Sequence, residues 1–232
     1  MSAPVIPADL AAALDRPVWS ALSGAQAGLA QGTAQALRID PAYGPFAACA
    51  PGQAAALAGL LRGGDDEIWL VERAPVGDHR LAVKREAALV QMVWNGVLPA
   101  CDEAGITALG PADYPQMAAL AAATQPGPWG PKTPLYGQFY GVFAGERLVV
   151  MAGVRMRPTP GITELSGVCT APDQRGKGLA ARLSARVMAD LAAAGQGIYL
   201  HSWAGNAGAI RLYEQLGFAI RAEMVASVLA LG

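Results

Sequence analysis

The sequence predicts an α/β fold: a mixed, mostly antiparallel sheet flanked by helices and preceded by a smaller α/β N-terminal domain. Three observations predict it. From about residue 105, short apolar segments typical of strands alternate with amphipathic segments typical of helices. A turn at residues 144–147 joins two apolar segments into a hairpin. A composition of 53% hydrophobic and 15% charged residues supplies enough apolar surface for a buried core.

The C-terminal half has the clearer pattern. Leu179, Leu183, Val187 and Leu191 recur every four residues and predict an amphipathic helix that ends at Gly195. The predicted order is a strand at 106–109, a helix at 111–123, hairpin strands at 139–143 and 148–156, a strand at 162–169, a helix at 178–194, a strand at 197–203, a helix at 207–216 and one or two strands at 218–229. This order predicts a mixed sheet with helices on its faces.

The first 100 residues have a weaker pattern. Residues 17–30 predict a helix with Asp15 as its N-cap, and residues 54–61 predict a second helix that ends at two glycines. Residues 68–72 are typical of a short strand. The period of residues 88–94 fits either a strand or a buried helix segment.

Residues 96–105 contain a proline and two glycines and predict a domain boundary. We therefore expect two domains. Residues 1–100 form an N-terminal domain that lacks a glycine loop of the kind described below, and residues 105–232 form the domain that carries the chemistry.

Charge and composition exclude several functional classes. The net charge is −1, with 17 basic and 18 acidic residues and no cationic run, so neither nucleic acid nor a membrane surface is an expected partner. The three cysteines show no C-x-x-C spacing and there are two histidines, so we expect no disulfide framework and no metal. Residues 1–17 lack a positively charged start and carry two aspartates, so we expect no secretory signal and a cytoplasmic location.

The most specific local motif is a glycine loop at Arg175, Gly176, Lys177, Gly178 and Leu179, between a predicted strand and a predicted helix. Unpaired N–H groups at a helix start, approached closely through glycine, predict a site for phosphate or pyrophosphate.

Three interpretations of this loop compete. It matches G-x-G-x-x-A, but a dinucleotide fold requires a tight strand-to-helix turn, and here six residues separate the strand from Gly176. The second interpretation is an ordinary helix start in which glycine only permits a turn. The third is an R-x-x-G-x-[GA] type of acyl-CoA loop.

A second motif favours the third interpretation. Residues 206–218, NAGAIRLYEQLGF, follow the first motif after about 30 residues, with a predicted helix and strand between them. The strand sequence SGVCTAP at residues 166–172 leads into the loop. Together these segments resemble the GCN5-related N-acetyltransferase (GNAT) family. Within that family, residues 164–224 most resemble the FR47-like and glycine N-acyltransferase-like group. The resemblance covers about residues 105–232.

The resemblance implies that acetyl-CoA is the acyl-donor substrate and that no metal takes part. The CoA arm would pair with main-chain groups of the strand before the loop, and the pyrophosphate would lie on the loop's N–H groups. The implied cofactor-binding residues are Val168, Cys169, Thr170, Arg175, Gly176, Lys177, Gly178, Leu179, Ala180 and Asn206. For Asn206, simple helix capping is an equally good interpretation.

The resemblance also implies transfer of an acetyl group to an amine by direct attack in a ternary complex. Tyr213 would be the general acid for the departing thiolate, and Glu164 would be the base that deprotonates the amine, directly or through water. An ordinary strand glutamate is an equally good interpretation of Glu164. Because no covalent intermediate is needed, Cys169 is expected to be a small buried residue.

Acceptor recognition is expected from residues 124–133, which contain Trp129, and from His201 or Trp203. The expected acceptor is a small-molecule amine or an amino-acid-like compound. By analogy with the family, residues 1–100 would be a degenerate GNAT half that helps to wall the acceptor pocket. The alternative function is a non-catalytic acyl-CoA-binding or sensing module with the same fold.

Overall fold

The computed structural model describes residues 8–232. Its helices are α1 Ala8–Asp15, α2 Pro17–Ser23, α3 Tyr114–Thr124, α4 Leu179–Ala193 and α5 Ala207–Gln215. Its strands are β1 Ala30–Gly32, β2 Ala36–Ile39, β3 Ala47–Cys49, β4 Ile68–Glu72, β5 Leu81–Trp94, β6 Thr107–Leu109, β7 Phe139–Ala144, β8 Arg147–Val154, β9 Ile162–Thr170, β10 Gly197–Trp203 and β11 Phe218–Leu231. The prediction that the chain has no secretory signal rests on residues 1–17, of which residues 1–7 lie outside the described residues.

An eight-stranded sheet dominates the fold, with the strand order β4-β11-β5-β10-β9-β8-β7-β6. Its neighbouring strands run antiparallel except for the pair β9 and β10. A separate three-stranded sheet contains β1, β2 and β3. The predicted α/β class with a mixed, mostly antiparallel sheet is confirmed.

The parallel pair β9 and β10 is joined over only three residues of each strand. Their pairing ends at Glu164 and Tyr199. Beyond that point β10 stays paired with β5, whereas β9 stays paired with β8 as far as Thr170. Gly167 has a positive φ of 64°, and the β8–β9 register shifts between Ser166 and Cys169. The predicted bulge at Gly167 therefore lies where the sheet opens.

The sheet crosses the predicted domain boundary. Strand β5 lies between β10 and β11, and β4 pairs with the far edge of β11. The division into residues 1–100 and 105–232 stays a prediction, but β4 and β5, from the first part, are strands of the C-terminal sheet. The sequence analysis did not predict this pairing, because strand pairing between distant segments leaves no local signature.

Each face of the sheet has its own apolar core. On one face α3, α4 and α5 pack against a cluster that includes Met92 and Phe218. On the other face α1 and α2 pack against a cluster that includes Leu89 and Val93. Because side chains alternate along a strand, β5 contributes to both cores through neighbouring residues.

The N-terminal elements differ from several predictions. The helix predicted at residues 17–30 ends at Ser23, because the chain turns at Gly24 and continues into a 3-10 turn and β1. Asp15 does not cap it; Asp15 ends α1, and its carboxylate pairs with Arg221. The helix predicted at 54–61 is a 3-10 helix, Ala54–Leu60. Residues 88–94 form the second half of β5.

Within residues 8–232, no helix has both the length and the apolar character needed to cross a membrane.

The position of β5 predicts that the described chain unfolds as one unit. Met92 is fully buried near the end of β5, where β5 pairs with both β10 and β11, so Met92→Ala should lower the free energy of unfolding by about 2–5 kcal/mol through lost burial and a cavity. Val83, on the same strand, is 55% exposed, and Val83→Ala should change it by at most about 0.5 kcal/mol. Urea denaturation should show a single transition that shifts in the Met92 variant. Two transitions, of which only one shifts, would contradict this account.

Candidate active site

A cleft of about 760 Å³ occupies the opening between β9 and β10. Its walls come from the end of β9, the loop that follows it, the start of α4, the end of β10 and α5. The segment between α3 and β7 contributes Pro126, Gly127 and Pro128. Part of the loop that we predicted to cover the site therefore lines the cleft. Trp129 is not among the lining residues and packs edge-on against Phe139.

The glycine loop forms one wall of the cleft. Gly176 and Gly178 have φ values of 77° and 72°, a conformation that side-chain-bearing residues rarely adopt. Gly178 is the N-cap residue of α4, and a Cβ at either glycine would point into open space. The backbone is thus exposed at a helix start, the arrangement that suits a phosphate group.

The cleft brings together most of the residues that the sequence predicted for cofactor binding. Those that line it are Val168, Cys169, Thr170, Arg175, Gly176, Gly178, Leu179, Ala180 and Asn206. Lys177 is not among the lining residues; its ammonium group donates to Gln174 at 2.7 Å. On the cleft side, residues 165–170 of β9 have no strand partner among the described residues, which leaves that edge free for a ligand's amide groups.

Asn206 and Tyr213 line the α5 side of the cleft. The Asn206 side chain accepts a hydrogen bond from the Ala209 N–H at 3.1 Å, so the capping interpretation is confirmed. Tyr213 lies about two helical turns further along α5 and packs edge-on against Phe218. Burial, with a smaller contribution from Cys169, raises the pKa of Tyr213 to about 12. At neutral pH its hydroxyl is therefore protonated and is a hydrogen-bond donor.

Cys169 is buried, and burial raises the pKa of its thiol to about 11. A thiol with such a pKa is a poor nucleophile at neutral pH, in keeping with the expected structural role. No group of three or more His, Cys, Asp or Glu side chains within residues 8–232 is arranged to hold a metal ion.

Glu164 lies behind the cleft in a saturated polar cluster. Its carboxylate accepts two hydrogen bonds from Arg155, each at 3.0 Å, one from the Met156 N–H at 3.2 Å and one from His201. Burial opposes its charge, but the Arg155 guanidinium and these hydrogen bonds prevail and lower its pKa. Glu164 is 1% exposed and is not among the lining residues. It is a firmly held carboxylate with no free lone pair for an incoming proton.

His201 connects this cluster to the cleft, which it lines. Its Nδ1 lies 2.9 Å from Glu164 Oε1, and its Nε2 lies 3.2 Å from the Gln91 amide nitrogen. The Gln91 oxygen accepts from Arg221 at 2.8 Å, and its nitrogen donates to the Leu14 carbonyl at 2.8 Å. Because Arg221 only donates, the Gln91 nitrogen faces His201 and donates to Nε2. We assign a neutral imidazole with its proton on Nδ1.

Sequence reasoning missed Arg155 and Gln91, although it named His201 and Trp203 as candidates for acceptor recognition. Gln91 lies on a segment whose period was ambiguous, and Arg155 follows an unbroken apolar strand. The available signal was a polar residue inside the apolar segment 88–94, where an unpartnered amide would be costly. That signal predicts a buried polar contact but does not identify its partner.

The saturated state of Glu164 predicts a large stability effect on its removal. Glu164→Gln leaves the buried Arg155 without its counter-charge and should lower the free energy of unfolding by about 3–5 kcal/mol at pH 7. Because the pKa of Glu164 is lowered by folding, its stabilisation is complete above the unfolded pKa of about 4.3. It is lost as the pH falls through the folded pKa.

The difference between the parent and the Gln variant should thus stay constant from about pH 7 to 5 and narrow below about pH 4. Denaturant titrations at several pH values measure it, with the exposed Glu214→Gln as control. A difference as small as that of the control at pH 7 would contradict the assigned cluster.

Comparison with known proteins identifies the family. Residues 139–226 match the model of the FR47-like protein family. A crystal structure of a GNAT-family protein from Novosphingobium aromaticivorans DSM 12444 superposes with a TM-score of 0.92 at 55% identity, over 95% of this chain and 99% of that one. A GCN5-related N-acetyltransferase from Kribbella flavida shares the fold, with a TM-score of 0.61 at 20% identity over 92% and 93% of the two chains. No curated protein sequence matches significantly. The identity to the Novosphingobium protein over nearly the whole of both chains, together with the shared fold, shows that this chain belongs to the GNAT family of acetyltransferases.

Proposed function

We propose that the protein is an N-acetyltransferase that moves an acetyl group from acetyl-CoA to a small-molecule amine by direct attack. One observation carries the proposal. A single cleft joins an unpaired strand edge, a glycine-lined helix start, a protonated tyrosine and a histidine held by a buried carboxylate. These are the elements that donor binding and two proton movements require.

The residues present fit acetyl-CoA, which supplies the acetyl group as a thioester. The free edge at Val168, Cys169 and Thr170 offers main-chain groups to the amides of the pantetheine arm. The N–H groups of residues 176–180 offer the pyrophosphate a helix start with a partial positive charge. Arg175 lines the same wall and adds a positive charge there.

The amine must lose a proton before it attacks, since an alkylamine of pKa about 10 is protonated at neutral pH. The saturated carboxylate of Glu164 favours a role different from that of the base, acting directly or through water, which the family resemblance implied. We propose that His201 Nε2 accepts the proton, displacing its 3.2 Å contact with Gln91, which keeps the shorter bond to Leu14. Glu164 would hold Nδ1 and stabilise the positive imidazolium, which makes it a positioning residue.

Tyr213 is proposed as the proton donor to the departing thiolate. It lines the cleft near Cys169, on the side of the free β9 edge. A thiolate of ordinary pKa about 8.5 is a weaker base than the Tyr213 phenolate, so the tyrosine acts by a strong hydrogen bond or by a transfer coupled to product release.

The alternative is a non-catalytic module that binds acyl-CoA. The two functions differ in one measurement, the release of free thiol from acetyl-CoA in the presence of an amine. A binding module would retain the thioester through many turnover times, whereas the proposed enzyme releases one thiol for each amine acetylated.

Tyr213→Phe tests the acid. The variant keeps the ring and its packing on Phe218 but lacks the donor, so kcat should fall about 10²- to 10⁴-fold with acetyl-CoA affinity and melting temperature nearly unchanged. Tyr140→Phe is the control, because the Tyr140 hydroxyl bonds Asp190 away from the cleft. It should leave kcat near the parent value. Full turnover in a stable Tyr213 variant would exclude the acid role.

His201→Asn tests the base. An asparagine amide can still donate to Glu164 but cannot accept a proton at neutral pH, so kcat/KM should fall about 10²- to 10⁴-fold near pH 7. The defect should shrink as the pH approaches the pKa of the amine, where the substrate is already deprotonated. The measurement is a pH profile of kcat/KM for both proteins. A defect of equal size at every pH would assign His201 a structural role only.

A further inference from the structure

The cleft extends past His201 into an arm that neither the strand edge nor the glycine loop occupies. We call this arm the aromatic slot; it is lined by Phe46, Trp69, Val71, Leu89, Trp203 and Ala226. Four of these residues come from the first 100, on β4, β5 and the segment before β3. The slot lies on the sheet face opposite α3 and α4, because its members belong to the core cluster beneath α1 and α2.

The floor of the slot is formed by small side chains. Ala226 of β11 lies opposite Val71 on one side and Ala87 on the other, so the floor of the slot is shallow side chain and backbone. Trp69 on β4 and Trp203 on β10 lie on either side of β11 and β5, and Phe46 bridges to Trp69 by a backbone pairing. Aromatic side chains therefore lie on both sides of this apolar floor.

Two guanidiniums lie against the aromatic side chains of the slot, and that of Arg155 is paired with Glu164. The Arg85 guanidinium lies 4.7 Å from the Trp69 ring and 6.0 Å from the Trp203 ring, and the Arg155 guanidinium lies 4.6 Å from the Phe46 ring. Within residues 8–232, no aspartate or glutamate lines the cleft. The Glu67 carboxylate, beside the slot, accepts the Trp69 indole N–H at 2.8 Å.

These observations select among amines. A second ammonium group entering the slot would lose its water without gaining a counter-charge, because no carboxylate is among the residues that line the cleft. A flat apolar group would instead bury its surface against the aromatic walls. We therefore propose, resting on the proposed acetyltransferase function, that the acceptor is a primary amine carrying an aromatic group, and that the aromatic slot holds this group while His201 faces the amine.

The test compares three amines as acceptors with acetyl-CoA: 2-phenylethylamine, glycine, which has nothing to place in the slot, and 1,4-diaminobutane, which brings a second cation. Thiol release should give a kcat/KM for 2-phenylethylamine at least about 10-fold above those of the other two. Equal values for glycine, or a higher value for the diamine, would overturn the assignment.

Ala226→Leu adds a matched variant. Leucine would fill the floor of the slot, so kcat/KM for 2-phenylethylamine should fall at least about 10-fold while that for glycine and the affinity for acetyl-CoA stay unchanged. An equal fall for both amines, in a protein of unchanged melting temperature, would count against the slot. Trp69→Ala, which removes one side of the slot without overpacking, should lower kcat/KM for 2-phenylethylamine alone. This variant provides the test if the leucine variant does not fold.

Binding separates this inference from the proposed function. Calorimetry on the protein saturated with CoA should show that 2-phenylethylamine binds at least about 10-fold more tightly than glycine or the diamine. If no amine releases thiol, the proposed function fails, yet the same binding order would still support the slot. An absent or reversed binding order overturns the inference whether or not thiol is released.

Discussion

The early parting of β9 from β10 is the constraint on which the rest of the site depends. The two strands share only three paired residues, and their separation begins at Glu164, the residue that Arg155, Met156 and His201 hold with four hydrogen bonds. A buried charge with so many donors is costly to displace, so the point of separation is rigid. Beyond Glu164 the two strands diverge around the cleft. The free β9 edge therefore faces a cleft whose narrow end is held in place.

The first 100 residues complete this site from behind. Strand β5 keeps β10 in the sheet after β9 has left it, and Gln91 of the same strand determines the tautomer of His201. Arg221 and the Leu14 carbonyl fix the orientation of Gln91, and Asp15 balances the charge of Arg221. One chain of polar contacts therefore runs from α1 to the cleft. This arrangement explains physically why an N-terminal segment without a glycine loop belongs to the same sheet.

The sequence predicted those features whose causes are local. The start of α4 at a glycine, the Asn206 cap and the bulge at Gly167 follow from the conformational needs of single residues or short motifs. The insertion of β5, and with it Gln91 and the aromatic slot, depends on pairing between segments more than 100 residues apart. Glu164 shows the limit most clearly: the family resemblance pointed to this position, whereas its saturation by Arg155 depends on which side chains the folded strands bring together.

The most direct test of the central claim is amide hydrogen exchange with and without CoA, read along the chain. We expect CoA to cause new protection from exchange at residues 167–170, where the free edge would gain a partner, and at 176–180. We expect no new protection in α1 or α2, which CoA would not contact. Gly178→Glu should abolish this protection by placing an anion at the helix start. Gly195→Glu, at the other end of α4 with a similar φ of 68°, should preserve it. Unchanged exchange at 167–180 on saturation with CoA, or protection confined to the first 100 residues, would contradict the account.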